Sequence, residues 1–475
     1  MVTTNTPPTG TSVAARMDRL PITPLHMLIT AVIGIGLFFD LYEVFLSGTL
    51  STVLQKQFHI GGNGLTLLLS SAFLGMFLGS IVIGRIADRF GRRRAFLLSL
   101  GIYSAFTLLA AFSPDAWFLV LCRFLAGFGI GAGLPVADAY LGDLLPAAKR
   151  GLYTAIAYTV GFVGVPAGGF LGHWLVPLHP LGIAGWRWLF VFGAIGAVLI
   201  VAMQSRLPES PRWLSAAGRD AEADAIVTRF ERSASERGIT LAEPSPTTPP
   251  TGRGAQVAEL FQRPYAGRTW MMLIFHFLQS WGYYGFGTLV PLVLVARGYD
   301  VVTGLGFLGV IFIGYPIGSA LSLPIIERTE RKYLIIGSAV AMSVFGLVFG
   351  ASRSEAAILI LGFCYTATSN IFSNAFHVYQ AEIFPTRLRG TASAGTYSIS
   401  RLSSGLLPFI LVPILHHFGS TWMFVAVAVA MVIAALDIVV GGPHTTGRTL
   451  TEVNSTGAQG SGDEPRVREE TGNSA

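Results

Sequence analysis

Gly84-Arg85-Ile86-Ala87-Asp88-Arg89-Phe90-Gly91-Arg92-Arg93-Arg94 stands between two apolar runs, 65–84 and 95–113. A basic, glycine-bearing turn between runs of about 20 apolar residues is what a short loop joining two membrane-crossing helices requires. A related pattern returns later in the chain. Shifted by 239 residues, Gly75 and Gly79 fall on Gly314 and Gly318, and Asp88, Arg89 and Arg92 fall on Glu327, Arg328 and Arg331. Tyr140 and Asp143 fall on Tyr379 and Glu382, and Pro146, Arg150 and Gly151 on Pro385, Arg389 and Gly390, with no gap across the set. Such a repeat predicts two six-helix halves in parallel arrangement, as in duplicated transporters.

Composition points the same way. Of 475 residues, 52% are hydrophobic and 12% charged, with a mean hydropathy of +0.59. Soluble domains carry about 25% charged residues, so the missing charge implies a hydrocarbon solvent. Cys122 and Cys364 both lie inside apolar runs and imply neither a disulfide nor a metal framework. The first 23 residues lack the layout of a cleaved leader, so the first apolar run is expected to stay as a helix.

Outward from the opening stretch, spans are predicted near 26–50, 65–84, 95–113, 116–141, 152–175 and 187–206, then near 269–295, 303–325, 333–350, 355–380, 391–415 and 420–441. The fold class is therefore an all-α membrane protein of twelve transmembrane helices in two six-helix bundles. Residues 1–23 read as a cytoplasmic tail, 24–206 as the first bundle, 207–268 as a cytoplasmic linker loop, 269–441 as the second bundle and 442–475 as a disordered cytoplasmic tail. Within the loop, 220–237 predicts an amphipathic helix with Ala223, Ile226, Val227 and Phe230 on one face, and 243–252 a Pro/Thr linker. With the N-terminus inside, 26 of the 32 Lys and Arg residues fall on the cytoplasmic side. Lys56, Arg187, Arg297 and Arg353 fall outside, and Arg123 and Arg401 within spans. That asymmetry places both termini in the cytoplasm, in a multi-pass protein of the plasma (inner) membrane. It also distributes the net charge of +6 in a way that offers nothing to nucleic acid.

Charges inside spans carry the mechanism, because each costs about 2.5–3.5 kcal/mol at the bilayer centre and so faces a cavity or a partner. Asp40 and Glu43 lie one helical turn apart and share a face. Burial disfavours a charged carboxylate, which makes either a candidate proton carrier. Arg401 sits roughly 15 Å into the eleventh span, too deep for easy snorkelling. Tyr397, Arg401 and Ser404 form one polar stripe, and Asn370, Asn374 and His377 another on the tenth span. A guanidinium there suits two-point capture of a substrate carboxylate, pairing with Asp40 or another acid being the alternative. Gln279, Trp281, Tyr283 and Tyr284 form a polar and aromatic cluster on the seventh span. Asp138 reads as a partner of the inner arginines, with a proton relay as the alternative. His26, His59, His173, His179, His416 and His417 lie near helix ends or in loops and read as solvated. The arginines of the opening stretch can pair with acids at neighbouring helix ends when the inner side closes. Asp88, Arg89, Arg92, Asp143, Arg150, Glu382 and Arg389 are the candidate cytoplasmic gate.

The opening stretch resembles the loop 2/3 signature of the major facilitator superfamily; its counterpart, Glu327-Arg328-Thr329-Glu330-Arg331-Lys332, is looser and lacks the glycines. Arg123-x-x-x-Gly127-x-Gly129-x-Gly131-x-Gly133, Tyr140-x-x-Asp143-x-x-Pro146, Gly185-Trp186-Arg187 and Pro208-Glu209-Ser210-Pro211-Arg212-Trp213-Leu214 resemble the sugar-porter group and its relatives. The chain departs from that group in having no glutamine on the fifth span and no paired glutamines on the seventh. With Phe39-Asp40-Leu41-Tyr42-Glu43 and Gln279-Ser280-Trp281-Gly282-Tyr283-Tyr284-Gly285 it is more similar to metabolite:proton symporters of the nicotinate and aromatic-acid type, over roughly residues 20–441.

This resemblance implies a secondary transporter that moves a small metabolite by alternating access. A carboxylate is the expected substrate, a proton the coupling ion, and Glu43 or Asp40 with Arg123 the coupling pair. Counted back from Ser47-Gly48, the sugar-porter acid would fall at Tyr42, between the two candidates. Helix 7 lines the cavity in the family, which adds its cluster to the substrate-binding candidates. No nucleotide loop, metal cluster or nucleophile arrangement appears, so neither an enzyme nor a cofactor is expected, and the protein is expected to act as a monomer in lipid. A sugar or polyol symporter, which would not need Arg401, and a proton-driven drug exporter are the rival transporters. A non-transporting nutrient sensor is the rival of another class, disfavoured by the short tail after 441.

Overall fold

The computed structural model describes residues 12–203, 207–243 and 257–445. Among them there is no β-strand. A short helix, α1 (Val13–Asp18), precedes α2 (Pro24–Thr49), α3 (Ser51–Gln57), α4 (Gly62–Phe90) and α5 (Arg92–Ala111). Then come α6 (Ala116–Ile130), α7 (Gly133–Leu144), α8 (Arg150–Phe162), α9 (Gly164–Leu175) and α10 (Gly185–Met203). The loop folds α11 (Pro211–Ala216) and α12 (Asp220–Ser235). The later part holds α13 (Ala266–Ser280), α14 (Phe286–Ala296), α15 (Val301–Phe312), α16 (Gly314–Arg328), α17 (Arg331–Ala351), α18 (Glu355–Glu382) and α19 (Thr386–Gly441). Nine helical segments of the described residues are long and apolar enough to cross a membrane.

Three of the long helical paths break at the same tripeptide pattern. Gly133-Leu134-Pro135 opens α7, Gly164-Val165-Pro166 opens α9 and Gly314-Tyr315-Pro316 opens α16. In each, proline removes an N–H and crowds the preceding turn, so the helix restarts at a new angle. Between α13 and α14 the path instead widens into a π-helical turn, Trp281–Gly285. Residues 391–415 and 420–441, expected as separate spans, belong to one helical run that is interrupted at Gly419, whose φ of 86° favours glycine.

The sequence repeat reappears as repeated packing. A Cβ on Gly75 or Gly79 of α4 would strike the backbone carbonyls of Phe124 and Phe128 on α6. A Cβ on Gly314 or Gly318 of α16 would strike those of Phe363 and Ala367 on α18, each 239 residues later. Such close backbone approach is the means by which helices associate in lipid. Gly79→Leu and Gly318→Leu are therefore each expected to cost about 3 kcal/mol through overpacking. Gly101→Leu, where nothing lies within 4 Å of the added carbon, is the control. Thermal midpoints of the purified proteins in detergent check this, and equal midpoints for Gly79→Leu and Gly101→Leu would refute it.

The turn between α4 and α5 shows why its glycines matter. Gly91 has φ 108°, and Glu209 accepts from the Arg93 N–H beside it at 3.0 Å. The corresponding turn into α17 is capped by Glu330 at φ −59° and needs no glycine.

The end of the molecule that carries residues 85–94 and the 207–243 loop is here called the loop end. At the opposite end the earlier and later helices touch closely. Gly48 of α2 abuts the backbone of Thr288 on α14, and Gly169 of α9 abuts that of Gly309 on α15. His173 Nδ1 bonds the Val302 carbonyl at 2.8 Å across the same junction, so it does not stand free in solvent as expected. His26 is also misplaced by the sequence reading: it is fully buried and bonded to Thr23. In α12, Ala223, Val227 and Phe230 are buried as expected. The described part of the expected N-terminal tail, residues 12–23, holds α1 and is packed on α12. Arg16 of α1 pairs with Asp224 and Glu231 of α12, and Arg19 pairs with Glu231. Residues 244–252 of the expected Pro/Thr linker and 446–475 of the expected 442–475 tail lie outside the described residues.

Candidate functional site

Glu43 on α2 and Arg123 on α6 form an ion pair in which both side chains are 0% exposed. Arg123 Nη1 and the Thr107 hydroxyl, the latter at 2.7 Å, both donate to Glu43 Oε1. Arg123 Nη2 donates to the Glu43 backbone carbonyl at 2.9 Å, and the guanidinium lies over the Phe190 ring. Glu43 Oε2 has no hydrogen bond. Tyr42, where register counting would put the acid, instead donates to the Leu189 carbonyl at 2.8 Å. Asp40 is buried one turn away toward the loop end, with neither carboxylate oxygen hydrogen-bonded, and it abuts Gly133 of α7. The absence of a side chain at Gly133 is what leaves room for that carboxylate.

The second buried guanidinium, Arg401 on α19, is 2% exposed. It donates to the hydroxyls of Tyr284 and, at 3.3 Å, Tyr397. It also lies 4.9 and 5.0 Å from the centroids of those two rings. The two tyrosines line a central cavity and Arg401 stands behind them, so the expected open clamp is in this conformation a guanidinium screened by two phenols. No carboxylate lies within ion-pair distance of Arg401 among the described residues, so the alternative of a direct salt bridge to Asp40 is not made in this conformation, although the two charges are close enough to attract each other.

The same cavity is lined by Gln279, Tyr283, Asn374, Phe376 and His377 from the later helices and by Leu41, Tyr158 and Phe162 from the earlier ones. Gln279 is buried and neither its carbonyl nor its amide nitrogen has a partner. That is a costly arrangement unless a ligand completes it. Asn374 donates to Ser322 at 2.7 Å. Two expected binding residues sit apart from the cavity. Asn370 donates to the Tyr315 carbonyl at 2.6 Å and accepts from Tyr283, which makes it a tie between α16 and α18. Trp281 is on the π-helical turn but does not line the cavity. Asp138 accepts from Tyr158 at 2.8 Å and pairs with no arginine in the described residues, contrary to expectation. Phe45 of α2 packs on Tyr283, Tyr284, Phe312 and Tyr315. It thereby packs against Tyr283 and Tyr284 of the cavity wall.

At the loop end, Asp88 pairs with Arg92, Arg92 approaches Asp143 at 4.0 Å, and Arg331 pairs with Glu382 at 3.5 Å. Each of these pairs joins groups of one half. Arg89 stacks on Phe90. Arg150 pairs with Asp18 at 3.0 Å, and Arg212 pairs with the same oxygen at 2.7 Å. The side chain of Arg389 lies outside the described residues. The Pro208–Trp213 segment is bound to this cluster: Ser210 donates to Asp143 at 2.7 Å and Trp213 to the Asp88 carbonyl at 2.8 Å.

Sequence reasoning missed Tyr158, Phe162, Phe376, Thr107 and Phe45, since aromatic and hydroxyl residues are common packing elements in membrane helices. His276 was also passed over, although a histidine in the middle of an apolar run was a signal.

Residues 27–408 match the sequence profile described as the Major Facilitator Superfamily. This chain is a member of that superfamily. The transporter is similar to the niacin transporter NiaP of Acinetobacter baylyi, at 27% identity over 92% of this chain and 99% of that protein. It is also similar to the 4-hydroxybenzoate transporter PcaK of the same organism, at 26% identity over 89% and 91%. Among solved structures it resembles the inward open conformation of the xylose transporter XylE from E. coli, with a TM-score of 0.70 at 20% identity over 91% of this chain and 99% of that one. The superfamily transporter fold, multi-pass in the membrane, is thereby established for this chain.

Proposed function

We propose that this transporter takes up a small carboxylate together with a proton, by alternating access, across the bacterial inner membrane. The observation that carries this reading is Arg401, a buried cation with no carboxylate within ion-pair distance among the described residues, held directly behind two tyrosine hydroxyls of the cavity wall. Both hydroxyls accept from the arginine and they lie 3.3 Å from each other, so one donates to the other and one hydrogen is left to donate into the cavity. A substrate anion bound to those hydroxyls would complete the buried charge, whereas a neutral polyol would leave it uncompensated. The names of the similar NiaP and PcaK support the same class, since niacin and 4-hydroxybenzoate are both ring carboxylic acids.

We read the fold as twelve spans. Each broken pair (α6–α7, α8–α9, α13–α14 and α15–α16) forms one span, and α19 forms two, reversed at Gly419. The spans make two six-helix bundles, 24–206 and 269–441. Basic-residue asymmetry puts the loop end and both termini in the cytoplasm. On that orientation the helices meet on the outer side, and the conformation is inward-facing. Glu43 is the proton carrier, with Asp40 as its alternate. Protonation of Glu43 weakens its hold on Arg123 and lowers the barrier to rocking of the bundles. Uptake into proteoliposomes across a panel of acids and polyols, with and without an imposed pH gradient, tests the reading. Gradient-driven accumulation of a polyol but of no acid would overturn it.

The loop-end residues Asp88, Arg89, Arg92, Asp143, Arg150, Glu382 and Arg389 act as the gate in this reading. Ion pairs across the cytoplasmic end exist only when that end is shut, so they favour the outward-facing state. Asp88→Asn is expected to slow transport several-fold and to increase labelling of a single cysteine at the cytoplasmic mouth. Normal transport with unchanged labelling would remove Asp88 from the gate.

A further inference from the structure

The cavity wall holds a second polar device that the reading above leaves unused. His276 on α13 and His377 on α18 are bridged by one amide. His276 Nε2 lies 2.8 Å from Gln380 Oε1, and Gln380 Nε2 lies 3.3 Å from His377 Nδ1. His276 and Gln380 are buried, whereas His377 lines the cavity.

The proton positions follow from one unpaired atom. His276 Nδ1 is buried with no partner. A buried N–H without an acceptor is rarer than a lone pair without a donor, so His276 carries its proton on Nε2 and donates it to Gln380 Oε1. That orients the amide, whose NH₂ then donates to His377 Nδ1. A nitrogen that accepts a hydrogen bond carries no proton, so neutral His377 bears its proton on Nε2. His377 Nε2 has no hydrogen-bond partner among the described residues, although the residue faces the cavity. The chain of three side chains therefore holds an N–H donor ready in the cavity wall.

Its place relative to Arg401 sets what it can read. The His377 ring packs on Tyr397 at 5.0 Å, and the Arg401 guanidinium lies 5.0 Å from the same Tyr397 ring. Tyr397 precedes Arg401 by one helical turn, which places the imidazole toward the loop end by about the length of one aromatic ring. Phe376 and Tyr284 stand beside these groups as flat apolar walls.

We propose that His377 is a specificity-determining residue that donates from Nε2 to a hydrogen-bond acceptor at the end of the substrate away from its carboxylate. The preferred substrate is then a planar acid, about one ring long, with a ring nitrogen, hydroxyl or carbonyl distant from the acid group. Gln380 and His276 are positioning residues that fix the donor tautomer. This inference rests on the carboxylate reading of Arg401 and adds the second contact point.

The test is equilibrium binding of benzoate, nicotinate and 4-hydroxybenzoate to the purified full-length transporter in detergent. One well-placed hydrogen bond gives about a tenfold preference, so nicotinate or 4-hydroxybenzoate should bind about tenfold tighter than benzoate. His377→Phe keeps the ring contact with Tyr397 and removes the donor. It should lose the preference, so that the three acids bind this variant with similar affinity. Gln380→Leu frees the tautomer and should cut the preference by about threefold, which keeps the proposal testable if His377→Phe does not fold. A wild type with no preference, or a preference that survives both substitutions, overturns the proposal. Loss of all three acids in Arg401→Ala, with the preference intact in His377→Phe, would overturn this inference and leave the carboxylate reading standing. If wild type binds none of the three acids, the ring-acid inference falls, and the uptake panel decides the carboxylate reading independently.

Discussion

Glu43→Gln is expected to bind substrate and exchange it across the membrane, yet to lose accumulation driven by a pH gradient. The physical case starts from the pair itself. Glu43 and Arg123 are both fully buried, and the guanidinium is held by one carboxylate oxygen and one backbone carbonyl. Removing one partner of a buried pair costs about 3–5 kcal/mol. Glutamine softens that cost, because its carbonyl oxygen still accepts from Arg123 and Thr107. What glutamine cannot do is gain or lose a proton. A pH difference of one unit is worth about 1.4 kcal/mol per proton, so a wild type that moves one proton per substrate accumulates up to about tenfold. Glu43→Gln should hold the ratio near one in the same proteoliposomes while counterflow continues. An accumulation ratio equal to wild type would eliminate Glu43 as the carrier and direct attention to Asp40, whose carboxylate is buried without a hydrogen bond.

Arg401→Ala is expected to weaken binding of acids by about a hundredfold, as hydrogen bonds involving a charged group contribute about 1.5–3 kcal/mol. The arginine acts on the cavity through Tyr284 and Tyr397, so its removal takes away both the positive charge and the donors that orient the two hydroxyls. Arg401→Lys separates these contributions. It keeps the charge but cannot fork to two phenols, and it should recover only part of the affinity. The measurement is direct binding of a carboxylate identified by the uptake panel, with a neutral amide of the same shape as control. Wild-type affinity for the acid in Arg401→Ala would remove the carboxylate reading and favour the polyol alternative.

The helices of this protein, their repeat and the cost of its buried charges were legible in the chain before any folding was considered. A run of about 20 apolar residues declares a span by itself, and 3.6-residue periodicity declared the loop helix with Ala223, Val227 and Phe230 inward. The 239-residue spacing of Gly75 and Gly79 with Gly314 and Gly318 foretold two copies of one helix contact. Asp40, Glu43, Arg123 and Arg401 stood out because hydrocarbon penalises charge wherever it occurs.

Partnership between those charges belonged to the tertiary structure. Asp40 and Glu43 share a face, so periodicity could not choose between them. The choice came from the way α5 and α6 pack against α2, which brings Thr107 and Arg123 to Glu43, whereas Gly133 of α7 abuts Asp40. Arg401 was legible as a deep cation, but its place behind Tyr284 depends on the π-helical turn at Trp281–Gly285, a local change of period that apolar patterning does not reveal. Asp138 found Tyr158 on the next helix, and His173 found Val302 and His276 found His377 through Gln380 across helices far apart in the chain. Periodicity states which way a side chain leaves its own helix. The group it meets depends on the rotation, depth and spacing of another helix, and no local stretch of sequence carries those quantities.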